Sequence, residues 1–271
     1  MSVYNHWRLL GACLLLSLAA CSKSGDPATE AAATATADGA KGTHFVTVLY
    51  NPPEDPAAFE KYYWETHVPL VGEKQAEIGF VAAELTHFVR TLDDQPSPLY
   101  RQAVLWFDSA EARDKGLASD GFKAVGDDLA NFASGGLIGM VGEQTSEPTP
   151  LAQGDHTYFV TVLYQQPEDA AAFESYYADT HLPLVGEHAE DIQFTRAELT
   201  KLEKNLDGTP PAYYRQAKLY FSNEVALNGG LATPGFKAVG DDLGNFATGG
   251  LVALVGHLTS APAPAAAPPA P

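Results

Sequence analysis

Cysteine is almost absent from this sequence. The chain of 271 residues contains two, Cys13 and Cys21, and both lie near its N-terminus. The rest of the chain therefore has no disulfide and no thiolate nucleophile, so its fold must be stabilised by burial of apolar side chains. A P-loop, an HExxH motif, a paired CxxC and a nucleophile elbow are also missing, so no common motif assigns a reaction. We predict no metal and no cofactor.

Basic residues are scarce as well. Lysine and arginine total 16 against 34 aspartates and glutamates, which gives a formal net charge of −18. Such a surface argues against nucleic-acid binding and against adhesion of the folded part to anionic lipid. Solubility is the simplest role for this acidity.

No apolar run near the N-terminus is long enough to cross a bilayer, which takes roughly 20 residues. The segment Leu9–Ala20 follows Arg8 and leads to Leu18-Ala19-Ala20-Cys21. A positive start, a short apolar middle and a small-residue cleavage site are typical of an export signal. The last four residues resemble a lipobox, which predicts a lipoprotein signal peptide at residues 1–21 that ends at a lipidated Cys21. The alternative is an ordinary secretory signal with a chance cysteine.

Lipidation would also determine where the protein is found. A lipid on Cys21 that carries more than one acyl chain anchors durably, and it would be the only contact with the membrane. Ser22 follows the cysteine, whereas an aspartate there resembles an inner-membrane retention signal. We therefore expect a protein of the cell envelope, on the periplasmic face of the outer membrane.

Two segments have a composition that cannot form a core. Residues 22–42 are mainly Ala, Thr, Gly and Ser, and residues 259–271 are dominated by Ala and Pro. Neither can bury enough apolar surface to offset its ordering entropy. We interpret them as a flexible tether and a disordered tail.

The sequence between these segments is a duplication. Phe45–Tyr50 recurs as Phe159–Tyr164 at an offset of 114, and about six positions in ten are identical without a gap. Self-similarity on this scale indicates two copies of one domain. We place repeat 1 at residues 43–142, a linker at 143–156 and repeat 2 at 157–258.

The sequence of each repeat predicts the element order β-α-β-β-α-β, which is the ferredoxin-like unit of an α+β protein. Turn residues and Gly-Gly pairs separate β-branched strands from helical segments. In repeat 1 we expect strands at His44–Tyr50, Phe80–Val89, Tyr100–Phe107 and Leu137–Val141, a helix from Asp55-Pro56, and a helical region from Asp108 to Phe132 with a break near Gly121.

The third strand has one apolar face and one face that combines aromatic and polar residues. One presents Ala103, Leu105 and Phe107, which should pack under the helices. The other is too aromatic to face solvent, so the sheet of the other repeat is the simplest cover. The two repeats would then pair within one chain, leaving a cavity or a sheet-to-sheet contact that contains polar groups. That second face carries Tyr100, Gln102, Val104 and Trp106, matched by Tyr214, Gln216, Lys218 and Tyr220.

A family resemblance supports this architecture. The segments Tyr62–Leu70 and Tyr176–Leu184, each containing THxPL, resemble the helix-end signature of EthD domains. These domains belong to the dimeric α+β barrel superfamily, so the resemblance implies an intrachain dimeric α+β barrel. The name comes from a protein needed for bacterial degradation of ethyl tert-butyl ether, and the reaction of the family is poorly defined. Its members are usually single-domain cytoplasmic proteins, whereas this chain is tandem.

His67 and His181 are the leading catalytic candidates, because a histidine near pH 7 can act as an acid, a base or a ligand. Their alternative is structural: a histidine at a helix C-terminus complements the macrodipole. Glu84 and Glu198 could be general acids or bases if burial raises their pKa, or they could face solvent at an edge.

Several other side chains suit a pocket for a hydrophobic or aromatic molecule, or could equally fill a core. Two arginines could hold an anionic ligand or form surface ion pairs. The pairs Asp127-Asp128 and Asp241-Asp242 are interpreted as a solvated helical face. The candidate ligand-binding residues are Tyr63, Tyr177, Tyr100, Tyr214, Gln102, Gln216, Arg101, Arg215 and Trp106.

Two functions remain open at this point. The first is a cofactor-free pocket for a small hydrophobic or aromatic metabolite, with acid-base chemistry related to degradation. The second is a non-catalytic periplasmic binding or interaction module that uses the barrel as a scaffold. The sequence does not decide whether the protein is an enzyme.

Overall fold

The computed structural model describes residues 41–147 and 157–260. The predicted signal peptide with Cys21, nearly all of the tether and the tail from residue 261 onward lie outside the described residues. No helix of the described ranges is both long and apolar enough to cross a membrane.

Both repeats have the predicted order of elements, and the α+β fold class is confirmed. The first helix begins at an ordinary cap: Asp55 Oδ1 accepts hydrogen bonds from the backbone N–H groups of Ala57 and Ala58, with Pro56 at the first helical position. In repeat 1 the elements are β1 (His44–Tyr50), α1 (Pro56–Tyr62), a π-helical segment (Tyr63–His67), α2 (Val68–Glu73), α3 (Gln75–Ile78), β2 (Ala82–Thr91), β3 (Arg101–Phe107), α4 (Ala110–Leu117), α5 (Asp120–Asp128), a 3-10 turn (Leu129–Asn131) and β4 (Leu137–Gln144).

Repeat 2 has the same elements 114 positions later. The break between its last two helices is capped by Thr233, as Ser119 caps the equivalent break in repeat 1, two residues before the predicted break at Gly121. The elements are β5 (Tyr158–Tyr164), α6 (Ala170–Tyr176), a π-helical segment (Tyr177–His181), α7 (Leu182–Glu187), α8 (Ala189–Ile192), β6 (Arg196–Asn205), β7 (Arg215–Phe221), α9 (Glu224–Leu231), α10 (Pro234–Asp242), a 3-10 turn (Leu243–Asn245) and β8 (Leu251–Leu258).

The eight strands close into one antiparallel barrel in the order β1-β3-β2-β8-β5-β7-β6-β4. The repeats therefore join along two seams, β2 with β8 and β4 with β6. Gly142 and Gly256 occupy equivalent positions at the seams, where a Cβ would collide with the backbone of the facing strand and with Phe45 or Phe159. Closure leaves no strand edge unpaired in the sheet.

The inner faces of the two sheets meet inside the barrel, as the third-strand pattern predicted. At the centre Gln102 and Gln216 exchange two amide hydrogen bonds, at 3.0 and 3.1 Å. Each amide also donates to a threonine hydroxyl of its own repeat, Thr47 or Thr161, at 2.9 Å. Apolar side chains from both repeats, among them Trp106, surround this network.

The placement of Tyr100 and Tyr214 on the inner face is wrong. Both lie on the outer side, where Tyr100 packs edge-on against Phe59 and Tyr214 against Phe173. The reason is that β3 and β7 begin one residue later, so the strict alternation of a pleated strand does not extend to these tyrosines.

The helices of each repeat cover the outer face of that repeat's own sheet. In repeat 1 their apolar side chains pack on Val46, Leu105 and Phe107 near one end and on Tyr50 near the other. Repeat 2 repeats this packing with its own residues. A layer between helices and sheet thus exists twice in the molecule, and both candidate sites lie in it.

Candidate functional site

A π-helical segment positions His67. Over Tyr63–His67 the helix widens, and the N–H of Val68 bonds to the carbonyl of Tyr63, five residues back. His67 is not at a helix C-terminus, because α2 continues the chain directly and accommodates Pro69 in its first turn. The helix-end interpretation is therefore wrong. Widened turns of this kind occur often at functional sites.

His67 forms a dyad with Asp128. Its Nδ1 lies 2.8 Å from Asp128 Oδ2, while Tyr62 and Asn131 donate to Oδ1 at 2.8 and 3.0 Å. The Asp128 side chain is only 11% exposed, so the interpretation of this residue as solvated is also wrong. The exposed neighbour Asp127 does pair on the surface, with Lys123.

The dyad is reproduced in repeat 2. His181 Nδ1 lies 2.8 Å from Asp242 Oδ2, and Tyr176 and Asn245 donate to Oδ1 at 2.8 and 2.9 Å. The segment GFKAVGDDL, which contains the aspartate, is identical in both repeats. This identity was the signal in the sequence that could have pointed to the aspartate.

Burial lowers the pKa of His67, and Asp128 partly opposes this shift through its hydrogen bond and charge. The same two influences act on the pKa of His181. Both imidazoles are therefore neutral at pH 7. Because a carboxylate can only accept, the proton of the neutral ring is on Nδ1, and Nε2 carries a lone pair.

An apolar cavity of about 130 Å³ lies beside His67, between the helices and the sheet. The polar residues of its lining are His67, Tyr50 and Tyr63. Burial raises the pKa of Tyr63 to about 12 and that of Tyr50 as well, so both hydroxyls are donors at neutral pH. The other lining residues are Val46, Val48, Val68, Val71, Gly72, Phe80, Ala83, Leu85, Ala103, Leu105, Phe122, Val125, Gly126, Leu129, Leu137 and Leu206.

The equivalent cavity of repeat 2 is larger, at about 300 Å³, and contains His181, Tyr164 and Tyr177. Each cavity also receives one leucine from the other repeat. Leu206, after β6, lines the cavity of repeat 1, and Leu92, after β2, lines that of repeat 2. Neither cavity is complete within its own repeat.

The two cavities have almost the same lining. Eighteen equivalent positions line both, and seventeen carry the same residue; the exception is Val68, which corresponds to Leu182. The repeats as a whole agree at only about six positions in ten.

Burial alone does not explain this agreement. The barrel interior is equally buried, yet it differs between the repeats at four positions on β2, β3 and their counterparts. A core can exchange apolar side chains of similar volume at little cost. The unchanged lining therefore indicates a constraint beyond packing. The changed interior pairs are Ala82 and Arg196, Phe88 and Leu202, Val104 and Lys218, and Trp106 and Tyr220.

Glu84 and Glu198 lie inside the barrel, away from both cavities. Glu84 accepts from Lys218 Nζ at 2.7 Å and from the Tyr220 hydroxyl, while Glu198 pairs with Lys41. The pKa of Glu84 is lowered to about 2, because the attraction of Lys218 and other cations outweighs burial. The expected raised pKa is therefore wrong for Glu84, which is not a proton donor at neutral pH.

The two arginines are bound to carboxylates that sequence reasoning missed. Arg101 donates to both oxygens of Glu60 at 2.8 and 2.5 Å, and also to the hydroxyl of Thr259, which directly follows repeat 2. Arg215 contacts Glu174 and Thr145 in the same way. Of the candidate residues, the structure brings together His67 with Tyr63 and His181 with Tyr177 in the cavities; Tyr100, Tyr214, Gln102, Gln216, Arg101, Arg215 and Trp106 lie outside them.

A closed eight-stranded barrel of two ferredoxin-like halves, with helices outside, defines a protein of the dimeric α+β barrel class. The family model described as EthD domain matches residues 51–136 and 165–250. The chain therefore belongs to the EthD family and contains two copies of its domain.

Known proteins resemble the chain in sequence or in fold. An uncharacterized 11.0 kDa protein of Rhodococcus erythropolis is 35% identical over 97 residues, which covers 36% of this chain and 90% of that protein. A putative monooxygenase from Fusobacterium nucleatum has a TM-score of 0.52 at 11% identity, over 80% of this chain and 93% of its own. An anthrone oxidase-like protein has a TM-score of 0.53 at 14% identity, over 80% and 91%. These two structures establish the shared fold.

Proposed function

We propose that each repeat is a general-base pocket for a small hydrophobic or aromatic molecule, with His67 and His181 as the bases. The observation that carries this proposal is the repeated lining: two cavities, each built around a His-Asp dyad, keep the same residues while the equally buried barrel interior has changed. The agreement supports one ligand class for both cavities and activity in both repeats.

The chemistry follows from the groups that face the cavity. His67 Nε2 takes a proton from an acidic C–H or O–H group of the substrate, and the electron pair stays on the substrate as an enolate or phenolate. The Tyr50 and Tyr63 hydroxyls donate hydrogen bonds to the oxygen that becomes negative. Asp128 stabilises the imidazolium that forms. Tyr164, Tyr177, His181 and Asp242 act in the same way in repeat 2.

The size and polarity of the cavities restrict the ligand. An apolar cavity of about 150 Å³ can hold benzene. The cavity of repeat 1 is close to that size, whereas that of repeat 2 has room for a larger ring system. We propose small aromatic molecules with a phenolic or enolisable group as substrates. The predicted lipid on Cys21 would hold this chemistry in the cell envelope.

A thermal-shift screen against phenols and small aromatic ketones tests binding, because a ligand of the native state raises the melting temperature. Turnover is tested on the ketones that bind, by incubating each in deuterated water and following exchange of the C–H hydrogens next to the carbonyl. The decisive variant is His67→Asn with His181→Asn. Asparagine keeps a donor for the aspartate but removes the base, so ligand binding should persist while exchange falls by about 10²-fold or more.

His188→Asn is the matched control, because this histidine lies outside both cavity linings. Exchange that is unchanged in the double variant would refute the general-base role. Binding without exchange in the unsubstituted protein would support the rival function, a binding module. The absence of any stabilising ligand would contradict both pocket functions.

A further inference from the structure

Two histidines face each other across one seam of the barrel. His87 on β2 is directly opposite His257 on β8, and the ring centroids are 5.7 Å apart. Both side chains are half-buried on the outer face, away from the two His-Asp dyads. The pair joins repeat 1 to repeat 2.

We propose that His87 and His257 bind one divalent transition-metal ion such as Zn²⁺ or Cu²⁺. Imidazole nitrogens bind these ions at about 2.0–2.1 Å. The ion then lies roughly 3.2 Å from each ring centre, so two rings can share it up to a separation of about 6.4 Å. The observed separation is within this limit. Water would complete the coordination, since the described ranges contain no group of three or more His, Cys, Asp or Glu side chains placed to hold one metal ion.

The second observation is the orientation of His257. Its Nδ1 lies 3.0 Å from the backbone carbonyl of Leu258, which fixes the proton on Nδ1 and leaves Nε2 for the metal. Histidine ligands in metal sites almost always donate their other N–H in this way. Both rings are also held in place, that of His87 by an edge contact with Tyr100 and that of His257 by Tyr158.

The charged groups around the pair act in opposite directions. Arg101, which pairs in register with His87, repels a cation at this site, and Glu60, which binds the guanidinium through both oxygens, offsets this repulsion only in part. Neither histidine donates to a carboxylate in the described part of the chain. The His87 ring forms no hydrogen bond there, so metal binding would break none.

The other seam provides a natural control. At the equivalent positions it has Lys201 opposite Glu143, and Lys201 is bound to Glu174 at 3.0 Å. A lysine cannot replace an imidazole as a ligand near neutral pH because it is protonated. The metal site should therefore occur once per chain and stabilise only the β2–β8 seam.

The test is a calorimetric titration of the full chain, without a polyhistidine tag, with Zn²⁺ and with Cu²⁺. We expect one ion per chain, with Cu²⁺ bound more tightly than Zn²⁺. His87→Asn and His257→Asn should each weaken binding by more than about tenfold. His44→Asn, which changes a half-buried histidine on β1 beside Glu143, should leave binding unchanged.

Melting temperatures without metal show whether the variants fold, and added Zn²⁺ should raise the melting temperature of the unsubstituted protein and of His44→Asn only. Electron paramagnetic resonance of the Cu²⁺ complex should show two nitrogen ligands. No uptake, or equal uptake by the folded His87→Asn and His257→Asn variants, would overturn the proposal. These measurements need no substrate and are independent of the general-base function.

Discussion

At the residue scale, Asp128 determines how His67 behaves. Burial alone would keep the imidazole neutral, but it would not decide which nitrogen carries the proton. The Asp128 carboxylate fixes the proton on Nδ1, because a carboxylate can only accept a hydrogen bond. Its negative charge and its hydrogen bond also raise the pKa of His67 and so offset part of the lowering that burial causes. The dyad therefore places a neutral imidazole with a defined proton position in the lining of an apolar cavity.

Replacing Asp128 with asparagine should lower the pKa of His67 further, because burial remains and the attraction of the carboxylate is lost. The acid limb of any activity should then move to lower pH. NMR titration of the His67 ring protons measures the shift, and Asp127→Asn is the control, since that side chain is exposed and lies outside the dyad. A pKa that rises in Asp128→Asn would contradict the proposed electrostatics.

Glu84→Gln should destabilise the protein by about 3–5 kcal/mol, because Lys218 would remain buried without its partner. The folded-state pKa of Glu84 is about 2, below its usual value of 4.5, so the carboxylate contributes stability above about pH 4.5 and loses it as pH falls toward 2. Urea unfolding at pH 7 and at pH 3 measures both effects.

The double variant Glu84→Gln with Lys218→Val is the control for this ion pair. Valine occupies the equivalent position, Val104, in repeat 1. The double variant should be more stable than Glu84→Gln alone, and equal stability of the two would show that the pair is not coupled.

Sequence reasoning identified His67 and His181 but missed their partners. Asp128 lies 61 positions from His67, on a helix that looks solvent-exposed from its sequence alone. For Glu84 the direction of the pKa shift was wrong because Lys218, 134 positions away, comes from the other repeat. Burial can be predicted from a local pattern, whereas the charges that meet inside a barrel depend on its register.

At the scale of elements, strands and helices followed from alternation and turn residues, but the π-helical segments did not. Pro69 and Pro183 indicated helix ends, and the structure instead accommodates each in the first turn of a new helix. A single π-helical turn does not produce a hydrophobic period in the sequence that differs recognisably from that of an α-helix. The position of each histidine relative to its cavity could therefore not be predicted.

The segments after β2 and β6 couple each cavity to the other repeat. Leu206→Ala should widen the cavity of repeat 1 and lower its affinity for an aromatic ligand a few-fold, because the ligand loses its apolar contact with the leucine side chain. Leu92→Ala should do the same in repeat 2. NMR of the His67 and His181 rings during titration distinguishes the two cavities, and an effect of Leu206→Ala confined to His181 would contradict the assignment.

At the scale of the whole molecule, each buried glutamate meets a lysine from outside its own repeat. Glu84 of repeat 1 pairs with Lys218 of repeat 2, and Glu198 of repeat 2 pairs with Lys41, which lies just before repeat 1. The two ion pairs are therefore formed by lysines at non-equivalent positions. The pairing of the two repeats within one chain was predicted from the duplication and the aromatic strand face, and the barrel from the family resemblance. The β2–β8 and β4–β6 seams were not predicted.

Residues 41–147 expressed alone should form a homodimer, because β2 and β4 would otherwise have unpaired edges. In that dimer Lys41 of each subunit can meet Glu84 of the other. Light scattering should give twice the monomer mass, and Lys41→Ala should weaken the association. A stable monomer would contradict the role of the seams.

The covalent joining of the halves has an evolutionary consequence. In a homodimer encoded by one gene, every substitution occurs in both subunits. A change that suits one seam is therefore imposed on the other seam as well. Here the β2–β8 seam has His87 opposite His257, whereas the β4–β6 seam has Lys201 opposite Glu143. Fusion of the two repeats allows the two seams to diverge independently, while the lining of the two cavities can be inherited unchanged.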